Sequence, residues 1–247
     1  MKFVIPSYKR SQQFKSKTFA YLLRKGVSVN DIFVFVRTDD PELESYMDIH
    51  NDLNVITTDV KGIGKTHNFI SQYFNEGDYI VEIDDDMTDL MNHKREPIHD
   101  FIDVCEMMKK KLIEEECSYG GTYAFDNPLF QGKCNEFTTD LRYMLGCLRF
   151  RIIRKDIKLE TNYAEDFENC ILHYMRDGKI LKNNWLAPKT NNYSGGGCKA
   201  DGRDTESEKI DKEFLANVYP KYATLFQRKS GVWDLRLKHK KCDKLVT

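Results

Sequence analysis

Three adjacent carboxylates, Asp84-Asp85-Asp86, follow the apolar run Tyr79-Ile80-Val81-Glu82-Ile83. Between Glu76 and Leu90 there are seven acidic residues and no basic one. Neighbouring carboxylates repel one another and cost stability unless something neutralises them. A hard divalent cation does this best, because it prefers oxygen ligands. Asp84 and Asp86 stand two apart, so in extended backbone both point to the same side and can reach one ion or its water shell. Mg²⁺ takes one or two carboxylates, keeps several waters and adds substrate phosphates. The alternative is a solvated acidic turn or a helix N-cap cluster, places that Asp also favours. Position favours the metal reading: the triplet closes a strand, and ligands of α/β sheets sit at the carboxyl ends of strands.

Two other segments carry groups suited to a nucleotide. Ile5-Pro6-Ser7-Tyr8-Lys9-Arg10 ends the first apolar run, with an aromatic that can stack on a base and a cation that can meet a phosphate; a proline-marked turn with a surface basic pair is the plainer reading. Lys61-Gly62-Ile63-Gly64-Lys65-Thr66-His67-Asn68 stands before a helical pattern, where glycines allow close approach and a helix N-terminus favours anions. It contains Gly-Lys-Thr, but a Walker A loop needs a glycine five places before Gly64, and Asp59 stands there. A P-loop NTPase is thereby excluded. A loop facing a sugar-phosphate through Lys65 or Asn68 remains, beside an ordinary glycine turn.

The elements that must position these groups alternate. Lys2–Pro6, 31–36, 54–58 and 79–83 read as strands, and 14–25, 41–49 and 65–74 as helices. Strands separated by helices of this length form βαβ units and a mainly parallel sheet. Ile98, Phe101, Ile102, Cys105, Met108 and Leu112 keep helical spacing after Pro97. Residues 119–125, 145–153 and 179–186 read as strands, 126–140 as a loop or lid, 163–176 and 207–218 as helices, and 191–203 as a glycine-rich loop. No repeat or linker interrupts the 247 residues, so the expectation is one α/β domain whose second half, 91–247, is distinct from residues 1–90.

An apolar strand ending in Pro-Ser-Tyr-x-Arg, a G-x-G-x-x-x-N helix start, and a strand closed by Asp-Asp-Asp, in this order, resemble the GT-A class of nucleotide-sugar glycosyltransferases. The likeness covers residues 1–90 well and the rest loosely. It implies a GT-A-like mixed, mainly parallel sheet flanked by helices, and Mn²⁺ or Mg²⁺ on Asp84 and Asp86, with Asp85 between them at the donor, a UDP-sugar for preference. Pro6, Ser7, Tyr8 and Arg10, with Arg37 and Asp39, would line the nucleoside site. Lys65, Asn68 and the Gly195, Gly196, Gly197 loop, with Arg203 beside it, would approach the diphosphate or sugar. Glu165 or Asp166, with Asp166 ahead, would face the acceptor as general base, since an ionised carboxylate can take a proton from an alcohol; their plainer role is to complement a helix dipole. A third metal ligand of the class, a late His, has no patterned match in His173 or His239.

Lys+Arg number 38 and Asp+Glu 39, a net charge of −1, but residues 228–244 hold seven Lys/Arg against two Asp beside Trp233 and Phe226. Cations interleaved with aromatics suit a phosphate backbone and a displaced base; a solvated tail is the alternative. Pro6-Ser7-Tyr8-x-Arg10, 62–68, Ile83-Asp84-Asp85-Asp86 and the terminal Tyr219-Pro220…Arg228-Lys229…Asp234-Leu235-Arg236 resemble the small glycosyltransferases associated with TET/JBP-type oxygenases in phages and large DNA viruses. That narrower resemblance implies DNA carrying 5-hydroxymethylpyrimidines as the acceptor partner. A glycan or protein acceptor, a nucleotidyltransferase, and a catalytically silent nucleotide- or DNA-binding module stay open beside it.

Seven cysteines without a C-x-x-C argue against a zinc ribbon and a disulfide framework, and for a reducing, cytoplasmic setting. No apolar run approaches the ~18 residues of a membrane span. The first residues, ended early by Pro6, do not read as a signal peptide.

Overall fold

The computed structural model describes residues 1–123, 134–190 and 197–238. β1 (Lys2–Pro6) leads into α1 (Ser11–Phe14), a π-helical turn (Lys15–Phe19) and α2 (Ala20–Arg24), which together fill the first expected helix. β2 (Ile32–Arg37), α3 (Leu43–Met47), β3 (Asn54–Thr58), α4 (Ile63–Tyr73) and β4 (Tyr79–Ile83) continue the alternation. Then come β5 (Met87–Asn92), α5 (Phe101–Glu114), β6 (Tyr119–Gly121), β7 (Phe137–Thr138), β8 (Leu148–Ile152) and α6 (Glu165–Asp177). The chain closes with β9 (Leu181–Asn183), β10 (Leu186–Thr190), the short α7 (Gly197–Ala200), α8 (Thr205–Val218), β11 (Ala223–Gln227) and β12 (Trp233–Leu237).

Eight strands form one sheet in the order β3-β2-β1-β4-β8-β6-β9-β7. β1 runs parallel to β2 and β4, and β2 parallel to β3. The parallel strands are apolar on both faces because helices cover both. Phe3, Ile5, Val34 and Val36 join one buried cluster with Phe101, Cys105, Met108 and Leu112 of α5. The alternate residues Val4 and Phe35 join the other with Ile70 of α4 and Phe74. β8 reverses direction and pairs with β4, Glu82 opposite Arg149. β8, β6, β9 and β7 thus extend the sheet from the second half of the chain, and α6 packs a third cluster, including Phe167 and Ile171, against Leu215, Leu235 and Leu237.

Several expectations are corrected here. The run 179–186 is two strands in two sheets: β9 stays in the main sheet, while β10 pairs antiparallel with β5. The break is held by Asn183, whose Oδ1 accepts from the N–H groups of Trp185 and Leu186, a local bond that hydrophobic periodicity does not register. β5 is an element that the sequence pattern does not announce, because its acidic residue belongs to the cluster around the triplet. The C-terminal stretch is a hairpin rather than a tail as far as residue 238: β11 and β12 pair through Leu225↔Leu235, and Leu235 and Leu237 are buried. Cys105, Cys117, Cys147, Cys170 and Cys198 are free thiols, but Cys134 is disulfide-bonded, against the expectation of thiols throughout.

The glycines at the start of α4 serve packing. A Cβ on Gly64 would lie 1.8 Å from the carbonyl oxygen of Thr161, and one on Gly62 would lie 2.3 Å from the Asn162 side chain. The Thr161 backbone cannot yield as a flexible side chain would. We expect Gly64→Ala to destabilise the fold by about 2–3 kcal/mol, read as a lower urea midpoint. An unchanged midpoint would show that residues 161–162 are free to move away.

Candidate active site at the carboxyl ends of the parallel strands

The acidic triplet leaves β4 into a turn held by its backbone. The Asp84 N–H donates to the Cys147 carbonyl (3.1 Å), the Thr18 hydroxyl donates to the Asp84 carbonyl (2.6 Å), and the Met87 N–H donates back to that hydroxyl (2.9 Å). The three side chains share one cleft but differ in their partners. Asp85 accepts from Ser7 Oγ (2.6 Å) and Arg10 Nη1 (3.0 Å), so it braces the turn after β1. Like Asp85, Asp84 and Asp86 line a cleft of about 540 Å³. Burial and the charge of Asp86 push the Asp84 carboxyl up to about 7. Burial also raises Asp86, against the opposing pull of Arg10 and Lys17. Two carboxylates short of neutralising charge suit a divalent cation. Among the described residues no third His, Cys, Asp or Glu joins them as a ligand group. Such a site leaves the remaining positions to water and phosphate, as Mg²⁺ prefers. His173 is removed from this role: it is fully buried, stacked on Tyr119 at 4.8 Å and hydrogen-bonded to Ser118 Oγ. His239 lies outside the described residues.

Pro6, Ser7, Tyr8 and Arg10 line the same cleft, as the sequence pattern predicts. Arg37, at the end of β2, lays its guanidinium 4.2 Å from the Tyr8 ring centroid. It also forks onto Asp39 (2.8 and 2.5 Å) and pairs with Asp201. Asp39 itself stays at the rim, about half exposed, and does not line the cleft. The second Asp201 oxygen accepts the Gly62 N–H (2.9 Å), so the segment after α7 is clasped across the β2–β3 side. Gly197 donates its N–H to the Tyr8 carbonyl (2.9 Å), and a Cβ there would lie 2.8 Å from Arg10 Cζ. Gly195 and Gly196 fall outside the described residues. Two expected contacts are corrected. Lys65 is exposed and lines no part of the cleft, although Ile63, Thr66 and His67 of the same turn of α4 do. Asn68 is spent on the chain: its amide donates to the Leu159 carbonyl and accepts the Leu159 N–H, both at 2.8 Å.

Glu165 and Asp166, at the first turn of α6, form the opposite wall. They meet a buried group that the sequence motifs do not point to: Glu82, Arg149, Arg151 and His67. Glu82 is 1% exposed; Oε1 accepts from Arg149 Nη1 (2.7 Å) and Oε2 from Arg151 Nη1 (2.8 Å). His67 Nδ1 lies 3.0 Å from Glu82 Oε1. Burial alone would raise the Glu82 carboxyl, but His67 and the two guanidiniums overcome it and hold it well below the usual range. Burial pushes the His67 imidazole down, so at neutral pH the charge opposing Glu82 is that of the arginines. Arg149 Nη2 pairs with Asp166 and lies 3.7 Å from Glu165. Burial and the Asp166 charge push Glu165 up to about 8. The signal that could have found this group is charge at alternate positions inside apolar strands, in Leu148-Arg149-Phe150-Arg151-Ile152 and in Tyr79–Ile83. Cations so placed need buried partners.

The described cations of the C-terminal hairpin lie outside this cleft. Arg228 pairs with Asp234, Arg236 sits 4.6 Å over the Phe226 ring, and Lys238 Nζ donates to the Pro220 carbonyl (2.6 Å). Trp233 is partly buried. No described helix is long and apolar enough to cross a membrane.

A mixed, mainly parallel sheet with helices on both faces and a carboxylate-lined cleft at the strand ends is a GT-A-like fold. Solved structures of like fold include S. aureus TarS 1–349 in complex with UDP-GlcNAc, with a TM-score of 0.56 and 15% identity over 88% of this chain and 67% of that one. Another is glucosyl-3-phosphoglycerate synthase from Mycobacterium tuberculosis. With Mn²⁺, UDP and phosphoglyceric acid it gives a TM-score of 0.57 at 12% identity, covering 97% of this chain and 87% of that one. With Mn²⁺, UDP and glucosyl-3-phosphoglycerate it gives 0.59, again at 12%, covering 96% and 86%. No protein-family model matches the chain, and no curated protein matches it in sequence.

The raised carboxyls have a measurable consequence. A carboxyl that holds its proton more tightly in the folded chain makes folding stability fall as pH rises between its unfolded and folded values. For Asp84 that window runs from 3.8 to about 7, and Glu165 extends it to about 8. The metal-free protein should therefore melt at lower temperature at pH 8 than at pH 5. Asp84→Asn should raise the pH 8 midpoint by more than it raises the pH 5 midpoint. Equal effects at both pH values would show that Asp84 is not destabilised by its charge.

Proposed function

We propose that the chain is a metal-assisted glycosyltransferase that moves a sugar from a nucleotide-sugar, preferably a UDP-sugar, to an acceptor hydroxyl. The observation that carries this reading is one cleft in which Asp84 and Asp86, short of neutralising charge, face Glu165 and Asp166 across the carboxyl ends of β1, β2 and β4. UDP, UDP-GlcNAc and Mn²⁺ in the structures of like fold support it.

Asp84 and Asp86 would hold Mn²⁺ or Mg²⁺, which supplies charge stabilisation for the departing diphosphate. Tyr8 offers its ring to the base. Arg10, and Arg203 on the facing wall, bring positive charge to the phosphates. As the acceptor oxygen bonds to the anomeric carbon and the bond to the diphosphate breaks, the acceptor proton passes to Asp166. Asp166 enters as the charged partner of Arg149. Burial and the Asp166 charge raise the Glu165 carboxyl, which favours its protonated form and suits it to donate a hydrogen bond to the sugar or acceptor.

The acceptor we assign is the hydroxymethyl group of a 5-hydroxymethylpyrimidine in DNA. Its support is the narrower sequence resemblance and the cation excess of residues 228–244.

A panel of UDP-, GDP-, ADP- and CMP-sugars, with and without Mn²⁺, tests the donor site by thermal shift. One UDP-sugar should stabilise the protein only with metal, and the double change Asp84→Asn, Asp86→Asn should abolish the shift. No shift with any donor, in wild type and variant alike, would favour a silent binding module. Asp166→Asn should keep donor affinity and lower transfer by about 10²–10⁴-fold.

For the acceptor, DNA affinity should fall with salt. Neutralising Lys238, Lys240 and Lys241 should reduce the log–log salt slope by about 1 for each of these lysines that meets a phosphate. An unchanged slope would turn the assignment towards a glycan or protein.

A further inference from the structure

Resting on the transferase reading above, we propose that Arg149 is the positioning residue of the acceptor-side carboxylates: its guanidinium, anchored on buried Glu82, fixes Asp166 at the cleft as proton acceptor. Arg149 is 2% exposed and reaches across the sheet in two directions. Nη1 donates to Glu82 (2.7 Å) and meets His67 Nε2 (2.8 Å), while Nη2 donates to Asp166. A planar fork that binds two carboxylates from opposite sides fixes their separation, which a single-point ammonium cannot do.

Charge balance gives the contact its direction. Arg149 and Arg151 bring two positive charges to the buried layer, and Glu82 returns one negative charge. His67, depressed by burial, adds none at neutral pH. The surplus positive charge faces the cleft, and Asp166 answers it; Glu165, at 3.7 Å, is the looser neighbour. The chain also clears space for this pair. A Cβ on Gly146 would lie 1.9 Å from Arg149 Nη2 and 2.6 Å from Asp166 Oδ1, so only glycine leaves the two groups in contact. Arg149 itself need not touch the reacting atoms. It acts through Asp166, and its loss should therefore be felt in turnover rather than in donor binding.

The full-length protein and the variants R149Q, R149K, D166N and R149Q/D166N decide the matter. UDP affinity with Mn²⁺ is measured by calorimetry, and UDP release from UDP-glucose and UDP-GlcNAc by a coupled assay. R149Q should leave UDP affinity unchanged and slow UDP release about 100-fold, the scale of a misplaced catalytic group. The double variant should be no slower than D166N alone, and R149K should retain more turnover than R149Q. Wild-type turnover in R149Q, losses that multiply in the double variant, or UDP affinity that falls in step with turnover would overturn the proposal. If the wild type neither binds UDP nor releases it, the transferase reading fails and the pair is judged on unfolding midpoints. Destabilisations of R149Q and D166N that are less than additive then support the pair, and additive ones overturn it.

Discussion

The cleft depends on the cross-strand pairing of β4 with β8, and at its centre on the buried ion pair between Glu82 and Arg149. These two residues stand opposite each other in the antiparallel register. Breaking such a pair by removing one partner costs about 3–5 kcal/mol, because the other charge is left uncompensated. Wrong registers are penalised in the same way: a one-residue slip would turn Arg149 and Arg151 away from Glu82. The register that satisfies these charges also sets Cys147 against the backbone of Asp84 and carries the chain into α6, where Glu165 and Asp166 begin. One electrostatic requirement in the interior thus brings Asp84 and Asp86 to the same opening as Glu165 and Asp166.

In the turn after β4 the acid triplet gives identical side chains different work. Asp85 turns inward to Ser7 and Arg10 and ties the end of β4 to the turn after β1. Asp84 and Asp86 remain in the cleft with carboxyls raised by burial. The wall of the cleft beside β2 is organised by Arg37, which joins the Tyr8 ring, Asp39 and Asp201. Both sides therefore follow one pattern, in which a buried arginine links a wall of the cleft to the sheet beneath.

Much of this is legible in the residues themselves. The βαβ order, both apolar faces of the parallel strands, the acidic strand end and the turn at Pro6-Ser7-Tyr8 all follow from local composition and periodicity. Pro6, Ser7, Tyr8 and Arg10 meet residues 84–86 and 165–166 at one cleft. Lys65 and Asn68 mislead because a glycine turn before a helix suggests a phosphate loop equally well when the glycines serve contact with Thr161 and Asn162. The strand β5 and the C-terminal hairpin escape a reading by pattern because their strands are short, five or six residues, and are fixed by partners far along the chain or across a turn.

The sequence by itself determined the elements of the first half and the chemistry at their ends, since alternation, capping and charge density are properties of neighbours along the chain. Only the tertiary structure decided that Glu82, Arg149, Arg151 and His67 form one buried network, that Asp85 is a brace, and that Asp201 clasps Arg37 and Gly62. Glu82 and Arg149 stand 67 residues apart along the chain, and Arg37 and Asp201 stand 164 apart. Such partners are chosen by sheet register and desolvation, which no local pattern encodes.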